Sequence, residues 1–290
     1  MVLLSGAAAL FTACTTGKGG STKYAGLKPG ESLGIASVPN LRDVGGYTTA
    51  DGKTVARGIA YRSNQLYAIT PDDRRKIQQL GWKNDYDLRT DAEVKAKPDE
   101  LPPGVNYVQL NVLADAKSAA PAKLEALLHD PMKANDVLGN GKIEQMFIKG
   151  YREFVSLPSA RESFRKLFAD LADPSRTPAV FHCTTGKDRT GWAAAAMLTL
   201  MGVPKETVYA DFLKSNDYIL PMYQPVINEF TEAGGDNDIP IAIFGVNKDY
   251  LDASFDEMQT KYGGIVEYFE KAFGMDAAEQ KALKDRFLSD

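Results

Sequence analysis

The chain has 290 residues, 44% of them apolar and 25% charged, and a formal net charge of −4 at pH 7. That length and balance suit one sizeable α/β domain with its own core and exclude disordered and collagen-like chains. The acidic balance argues against a general nucleic-acid binder, which needs a basic surface, so no nucleic-acid partner is expected and any phosphate site must be local.

Residues 2–14 form an apolar run that ends in small residues before Cys14. The run is too short to span a bilayer and has the character of a signal-peptide core. Phe11-Thr12-Ala13-Cys14 resembles a bacterial lipobox, in which the cysteine carries the lipid; Phe11 stands where Leu is usual, and no Lys or Arg precedes the run. The expectation is an exported protein, anchored to a membrane through lipidated Cys14 and facing the periplasm or the cell surface, with secretion after cleavage as the alternative. Residues 1–14 are then the signal segment, 15–32 a flexible tether and 33–290 the folded domain.

Beyond the tether, residues 39–52 are rich in turn formers and 54–61 read as extended. Thr70-Pro71-Asp72-Asp73 marks a helix start, with a capping hydroxyl, a proline at the first position and two acids at the positive end; Gly81 closes that helix. Strands are predicted over 84–88 and, after the Pro102-Pro103-Gly104 turn, over 105–112. Residues 114–140 are Ala-rich and weakly patterned, and 143–170 carry helical periodicity broken near Leu157-Pro158. A short strand over 179–181 leads through a tight loop into a helix over 191–201; further helices are expected over 204–215, 252–262, 265–273 and 276–288. This alternation indicates an α/β fold with a mainly parallel central sheet flanked by helices, whose ligands sit beyond the carboxyl ends of the strands.

The tight loop is the most informative stretch: His182-Cys183-Thr184-Thr185-Gly186-Lys187-Asp188-Arg189-Thr190-Gly191. A strand–loop–helix turn aims backbone N–H groups and a positive helix end at one small volume, which favours an anion and an anionic sulfur there. Cys14 and Cys183 are the only cysteines, so no disulfide framework or Cys-rich metal site is available, and no metal or other cofactor is expected.

The run from His182 to Gly191 matches the Cys-x5-Arg signature of the protein tyrosine phosphatase superfamily. Its wording resembles the branch of bacterial secreted tyrosine and dual-specificity phosphatases, related to mycobacterial and listerial enzymes that also act on phosphoinositides. Asn40-Leu41-Arg42-Asp43-Val44-Gly45-Gly46-Tyr47, Tyr61-Arg62-Ser63 and Asp87-Leu88-Arg89 resemble further motifs of that branch, in the same order. The resemblance implies a cysteine-phosphatase fold in which a helical insertion, here 114–140, covers the site as a lid; a surface insertion with no gating role is the alternative.

It also implies phosphate-monoester hydrolysis on a phosphorylated protein or small phosphate ester. Cys183 is the nucleophile, Arg189 the clamp, and Thr184, Thr185, Gly186, Lys187 and Thr190 line the phosphate. His182 orients the loop in that family instead of moving protons. Neither Trp82 nor Trp192 is followed by Pro-Asp, so the general acid is Asp188, inside the loop, or Asp87. Lys187 contacts a second phosphate at the rim or is solvated, and Arg42, Arg62 and Arg89 either line the substrate mouth or pair with acids such as Asp43 and Asp87. An inositol-phosphate phosphatase of phytase-like kind and a non-catalytic phosphate-binding module are the alternatives. An arsenate reductase would need a resolving thiol that the domain lacks.

Overall fold

The computed structural model describes residues 26–116, 124 and 127–289. Cys14, the rest of the expected signal segment and the first part of the expected tether lie outside the described residues, as does the stretch 117–123 of the expected lid. The described end of the tether lies against the domain: the Arg57 guanidinium donates to the Leu27 carbonyl at 3.0 Å and the Ser32 amide to the Tyr218 hydroxyl at 3.1 Å.

The fold is α/β. Its central sheet runs β1 (Arg42–Asp43), β3 (Ala60–Ser63), β6 (Ala179–His182), β4 (Asn84–Asp87), β5 (Asn106–Gln109), antiparallel only between β1 and β3. The extended stretch expected over 54–61 divides into β2 (Thr54–Val55), which pairs with the C-terminal β7 (Leu288–Ser289), and the start of β3. Strand β6 lies at the centre, and its last residue, His182, stands in register with Ser63 of β3 and Asp87 of β4. Three strand ends therefore finish at one level, and Cys183 is the next residue.

Alternation along β6 builds the two faces of the sheet. Ala179 and Phe181 enter the large core with Tyr86, Phe164, Phe168, Trp192 and Tyr268, whereas Val180 joins Tyr61, Leu66, Ile77 and Trp82 on the other side. Helix α1 (Pro71–Gln78) covers this second face. Its predicted cap is present, with Thr70 accepting from the Asp73 amide at 3.2 Å. Helix α2 (Asp91–Ala96), not foreseen, starts with a reciprocal Thr90–Glu93 capping box.

The larger core is built by α4 (Lys142–Ser156) and α5 (Pro158–Ala172), which break at Leu157 because Pro158 holds the preceding residue extended. Helices α6 (Arg189–Leu200), α7 (Lys205–Leu213), α10 (Lys248–Tyr262), α11 (Ile265–Phe273) and α12 (Ala277–Phe287) complete it. Burying each large apolar side chain there contributes roughly 1.5–3 kcal/mol relative to exposure. A third, smaller core joins α3 (Pro131–Leu138), α8 (Ser215–Glu232) and α9 (Asp238–Phe244) around Leu138, Ile219, Ile227, Phe230 and Phe244. Among the described residues no helix is long and apolar enough to cross a membrane.

Candidate active site

Cys183 leaves β6 at the carboxyl edge of the sheet as a free thiol, 1% exposed, and the chain re-enters helix at Arg189 with Asp188 as the N-cap. Helix α6 is buried on nearly every side, as expected of a helix apolar all round. That fixes the direction of its N-terminus toward the loop.

The loop's polar groups divide cleanly. Among the described residues, the N–H groups of Thr184, Thr185, Gly186, Lys187 and Asp188 make no hydrogen bond. Three successive carbonyls on the same stretch do accept: Thr184 O from the Gln65 amide at 3.1 Å, Thr185 O from Asn40 Nδ2 at 2.9 Å, and Gly186 O from Arg62 Nη2 at 2.8 Å. Donors left open around a buried thiol at a helix N-terminus make an anion cradle.

Arg189 is oriented by Glu93 of α2, a residue the sequence reading did not single out. Nη1 donates to Glu93 Oε2 at 2.9 Å and Nη2 to Glu93 Oε1 at 2.7 Å; Nη1 also donates to the Leu88 carbonyl at 3.2 Å. Among the described residues this leaves Nε and the second hydrogen of Nη2 uncommitted, a side-on pair that matches two oxygens of a tetrahedral anion. Burial works against both charges, yet the pairing outweighs it: Arg189 is driven above its ordinary value, and Glu93 is held far below the usual carboxylate range. Glu93 Oε1 also accepts from the Thr184 hydroxyl, joining α2 to the loop. The only sequence signal for Glu93 is the Thr-x-x-Glu capping pattern, which marks a helix start and not an arginine partner.

Asp188 Oδ1 accepts from the Tyr151 hydroxyl and from Lys187 Nζ, both at 2.8 Å. Among the described residues no hydrogen bond reaches Oδ2, and the side chain is 18% exposed. Asp87 is different. It is fully buried, its oxygens take four hydrogen bonds from the backbone and guanidinium of Arg89, and Oδ2 takes another from Tyr107. Burial raises Asp87, but the charges of His182 and Arg89 prevail and hold it at about 2. An aspartate so committed has no proton to give, which corrects the expectation that it competes with Asp188.

For the mouth and rim the structure chooses between the alternatives that the residues left open. Arg42, Arg62 and Arg89 are all interior. Arg42 Nη1 and Arg62 Nη1 clamp Asp211 Oδ1 and Oδ2 at 2.9 and 2.6 Å, and Arg89 pairs with Asp87 and Asp99, each at 2.7 Å. Burial and the neighbouring Arg42 charge bring Arg62 down to about 10. Lys187 is also interior, with Nζ 4.7 Å above the Phe147 ring and engaged by Asp188, so it does not reach for a second phosphate. Thr190 sits in the first turn of α6 with its hydroxyl buried and unpartnered among the described residues.

His182 is fully buried behind Cys183, with Nε2 at 3.2 Å from both Asp85 Oδ1 and Asp99 Oδ2 and Nδ1 at 3.4 Å from the Cys183 carbonyl. Burial opposes its charge, but the three surrounding aspartates, Asp85, Asp87 and Asp99, keep it protonated well beyond the ordinary range. Among the described residues this is also the group whose ligand atoms, on Asp85, Asp99 and His182, come within 4.8 Å of one another. Arg89 already supplies a cation to it, and the imidazolium a second, so its charge is met from within the protein.

A profile described as the tyrosine phosphatase family matches residues 33–289. Over 267 residues the chain is 26% identical to a Cupriavidus necator protein provisionally named a tyrosine-protein phosphatase, covering 89% of this chain and 88% of that one. It is 28% identical over 258 residues to the triple specificity protein phosphatase PtpB of Mycobacterium tuberculosis, covering 80% and 91%. A tyrosine-protein phosphatase of Nostoc commune matches 54% of the chain at 28% identity, over 48% of its own length. With this match and this cradle, the chain belongs to the tyrosine phosphatase family and is a protein-tyrosine-phosphatase-type phosphoric monoester hydrolase.

Proposed function

We propose that this protein removes phosphate from phosphotyrosine, with phosphoserine, phosphothreonine and phosphoinositides as further substrates, through a cysteinyl-phosphate intermediate. The observation that carries the reading is the buried thiol at the floor of a loop whose amides are open, beside an arginine with one N–H pair to spare. The Cys183 thiolate attacks phosphorus in line, the S–P bond forms as the ester P–O bond breaks, and Asp188 passes its proton to the leaving oxygen. Water then attacks phosphorus and gives a proton back to Asp188, and inorganic phosphate leaves the thiolate. The loop amides and Arg189 hold the equatorial oxygens in both transition states. Asp188 suits the acid role because Tyr151 and Lys187 both engage Oδ1 and leave Oδ2 for the transferred proton. The Thr190 hydroxyl, unpartnered beside the helix start, suits stabilisation of the sulfur as it leaves.

Breadth of substrate is supported by the triple-specificity name of the mycobacterial relative; Lys187, engaged with Asp188, lends it no support. The test is hydrolysis of a phosphotyrosine peptide, a phosphoserine peptide, phosphoinositides and an inositol polyphosphate, with Cys183→Ser as control. Turnover lost in the variant supports the mechanism, and the preferred ester decides between protein, lipid and inositol phosphate. A folded wild type that hydrolyses none of them overturns the reading. The apolar run before Cys14 supports export and lipid attachment at Cys14. Metabolic labelling with a radioactive fatty acid, lost in Cys14→Ser, checks it.

A further inference from the structure

We infer that Asn40, Arg62 and Asp211 are positioning residues for the phosphate loop: they hold its carbonyls turned outward, so that its amides stay aimed at the phosphate. The inference rests on the phosphatase reading above and assigns a task to two motifs, around Asn40 and around Arg62, that the chemistry itself does not use.

A peptide group places its C=O opposite its N–H. A loop that presents successive amides to an anion must therefore send the matching carbonyls to the far side, into the protein, where each needs a donor. The structure supplies one for each. The backbone amide of Gln65 takes Thr184 O, the side chain of Asn40 takes Thr185 O and the guanidinium of Arg62 takes Gly186 O. All three donors are buried or nearly so. Gly186 itself lies at φ +70°, and a Cβ there would stand 2.3 Å from the Ser63 carbonyl oxygen, so the loop rests directly on the end of β3.

Arg62 is held in turn. Its Nη1 meets Asp211 Oδ2 at 2.6 Å, while Asp211 Oδ1 accepts from Arg42 Nη1 at 2.9 Å and from the Tyr47 hydroxyl at 2.7 Å. Asp211 lies on α7, which directly follows the helix that the loop begins. Asn40 is fixed through its own amide, which donates to Asn64 Oδ1 at 3.1 Å. An interior arginine pair around one carboxylate is a costly arrangement for stability alone. Its geometry is explained once one guanidinium has to end on a loop carbonyl.

The experiment measures tungstate, a tetrahedral oxyanion, binding to the full chain by calorimetry, alongside kcat and KM on an aryl phosphate. The variants are Asn40→Ala, Arg62→Lys and Asp211→Asn, with Asn216→Ala as control. Asn216 also bridges a loop through two part-buried hydrogen bonds, to Val246 O at 2.8 Å and from Val246 N at 2.7 Å, but away from the phosphate loop. Asn40→Ala and Arg62→Lys are expected to weaken tungstate at least tenfold and to lower kcat/KM by a similar factor, while the control keeps wild-type tungstate affinity. Asn40→Ala removes a single hydrogen bond, so it tests the inference even where a variant at the arginine pair does not fold. Wild-type tungstate affinity in folded Asn40→Ala overturns the inference. A wild type that binds tungstate but hydrolyses no ester overturns the functional reading alone, and the affinity comparison still decides the positioning role.

Discussion

Arg189 and Glu93 meet in a two-point ion pair at 2.9 and 2.7 Å, and the pair settles which edge of the guanidinium faces the cradle. Glu93 occupies one edge, and the other is left to bind two oxygens of a phosphate. The same carboxylate receives Thr90 as its own helix cap and Thr184 from the loop, so one side chain joins a helix start, a clamp and a cradle.

Replacing Glu93 with Gln should therefore damage both folding and turnover. It leaves Arg189 as an interior charge without its counter-ion, a change that costs about 3–5 kcal/mol in comparable buried pairs. Urea unfolding is expected to show a loss of that size, and kcat/KM should fall by about tenfold or more because the clamp is no longer held in place. A variant with wild-type stability and turnover would count against this role.

Arg189→Lys keeps the charge and loses the fork. The expected fall in kcat is on the order of 10²–10³-fold, the size seen when one preorganised donor to a developing anion is removed. Alkylation of Cys183 by iodoacetamide should continue, since the thiol remains. Steady-state kinetics with thiol labelling on the same sample checks both halves.

Asp188→Asn separates proton donation from binding. With an aryl phosphate whose leaving phenol is poor, kcat should drop by roughly 10²–10⁴-fold. With a nitrophenyl ester, which departs without a proton, the drop should be much smaller. Equal losses across a series of leaving groups would move the acid elsewhere.

Gly186→Ala meets two obstacles at once. The backbone lies at φ +70°, where side chains are strained, and the added methyl would collide with the Ser63 carbonyl. Strain alone costs on the order of 1–3 kcal/mol, and relief requires the loop to lift from β3. Thermal unfolding should shift down and turnover should be lost; an active, equally stable variant would show that the loop does not depend on this seat.

Stability should also depend on pH through the carboxylates around His182. Burial raises Asp85 from 3.8 to about 6, against the pull of the His182 charge. Between about pH 4 and 6 the native state then binds more protons than the unfolded chain, so stability falls as pH rises, by up to about 1.4 kcal/mol per pH unit. His182, raised as well, adds a fall of the same sign above its unfolded value. Asp87 acts oppositely: held at about 2, it contributes stability that is lost as pH drops below about 4. Urea titrations across pH 3–7 should show these slopes, and Asp85→Asn should flatten the one between pH 4 and 6.

Much of the candidate site is local in the chain, and local features are what a sequence displays. The turn from β6 through Cys183 into α6 occupies ten consecutive residues, and its strand, loop and helix follow from their own propensities. The Thr70 cap with Pro71 and the break at Pro158 are equally local, and both stand where the residues predict them. Helix α8 was hidden for the same reason: Pro221 and Pro225 lie inside it, and only packing of Ile219, Ile227 and Phe230 into the third core overrides what those prolines suggest.

The motifs left it open whether Arg42, Arg62, Arg89 and Lys187 face the phosphate or are engaged elsewhere, because charge in a sequence carries no direction. Asp211 lies 149 residues from Arg62, and Glu93 lies 96 from Arg189. No spacing rule joins partners that far apart; they meet because parallel strands end at one level and the helices behind them bring single carboxylates into a dry interior. There an unpaired guanidinium is too costly to persist, so Arg42, Arg62 and Arg89 turn to acids and carbonyls, and Arg189 keeps only the edge that Glu93 leaves open. What the residues alone display is a cysteine, an arginine six positions on and the strand–loop–helix turn that joins them, because all three are contiguous in the chain. Tertiary structure alone decided which charges face the phosphate and which are consumed in holding the loop that does.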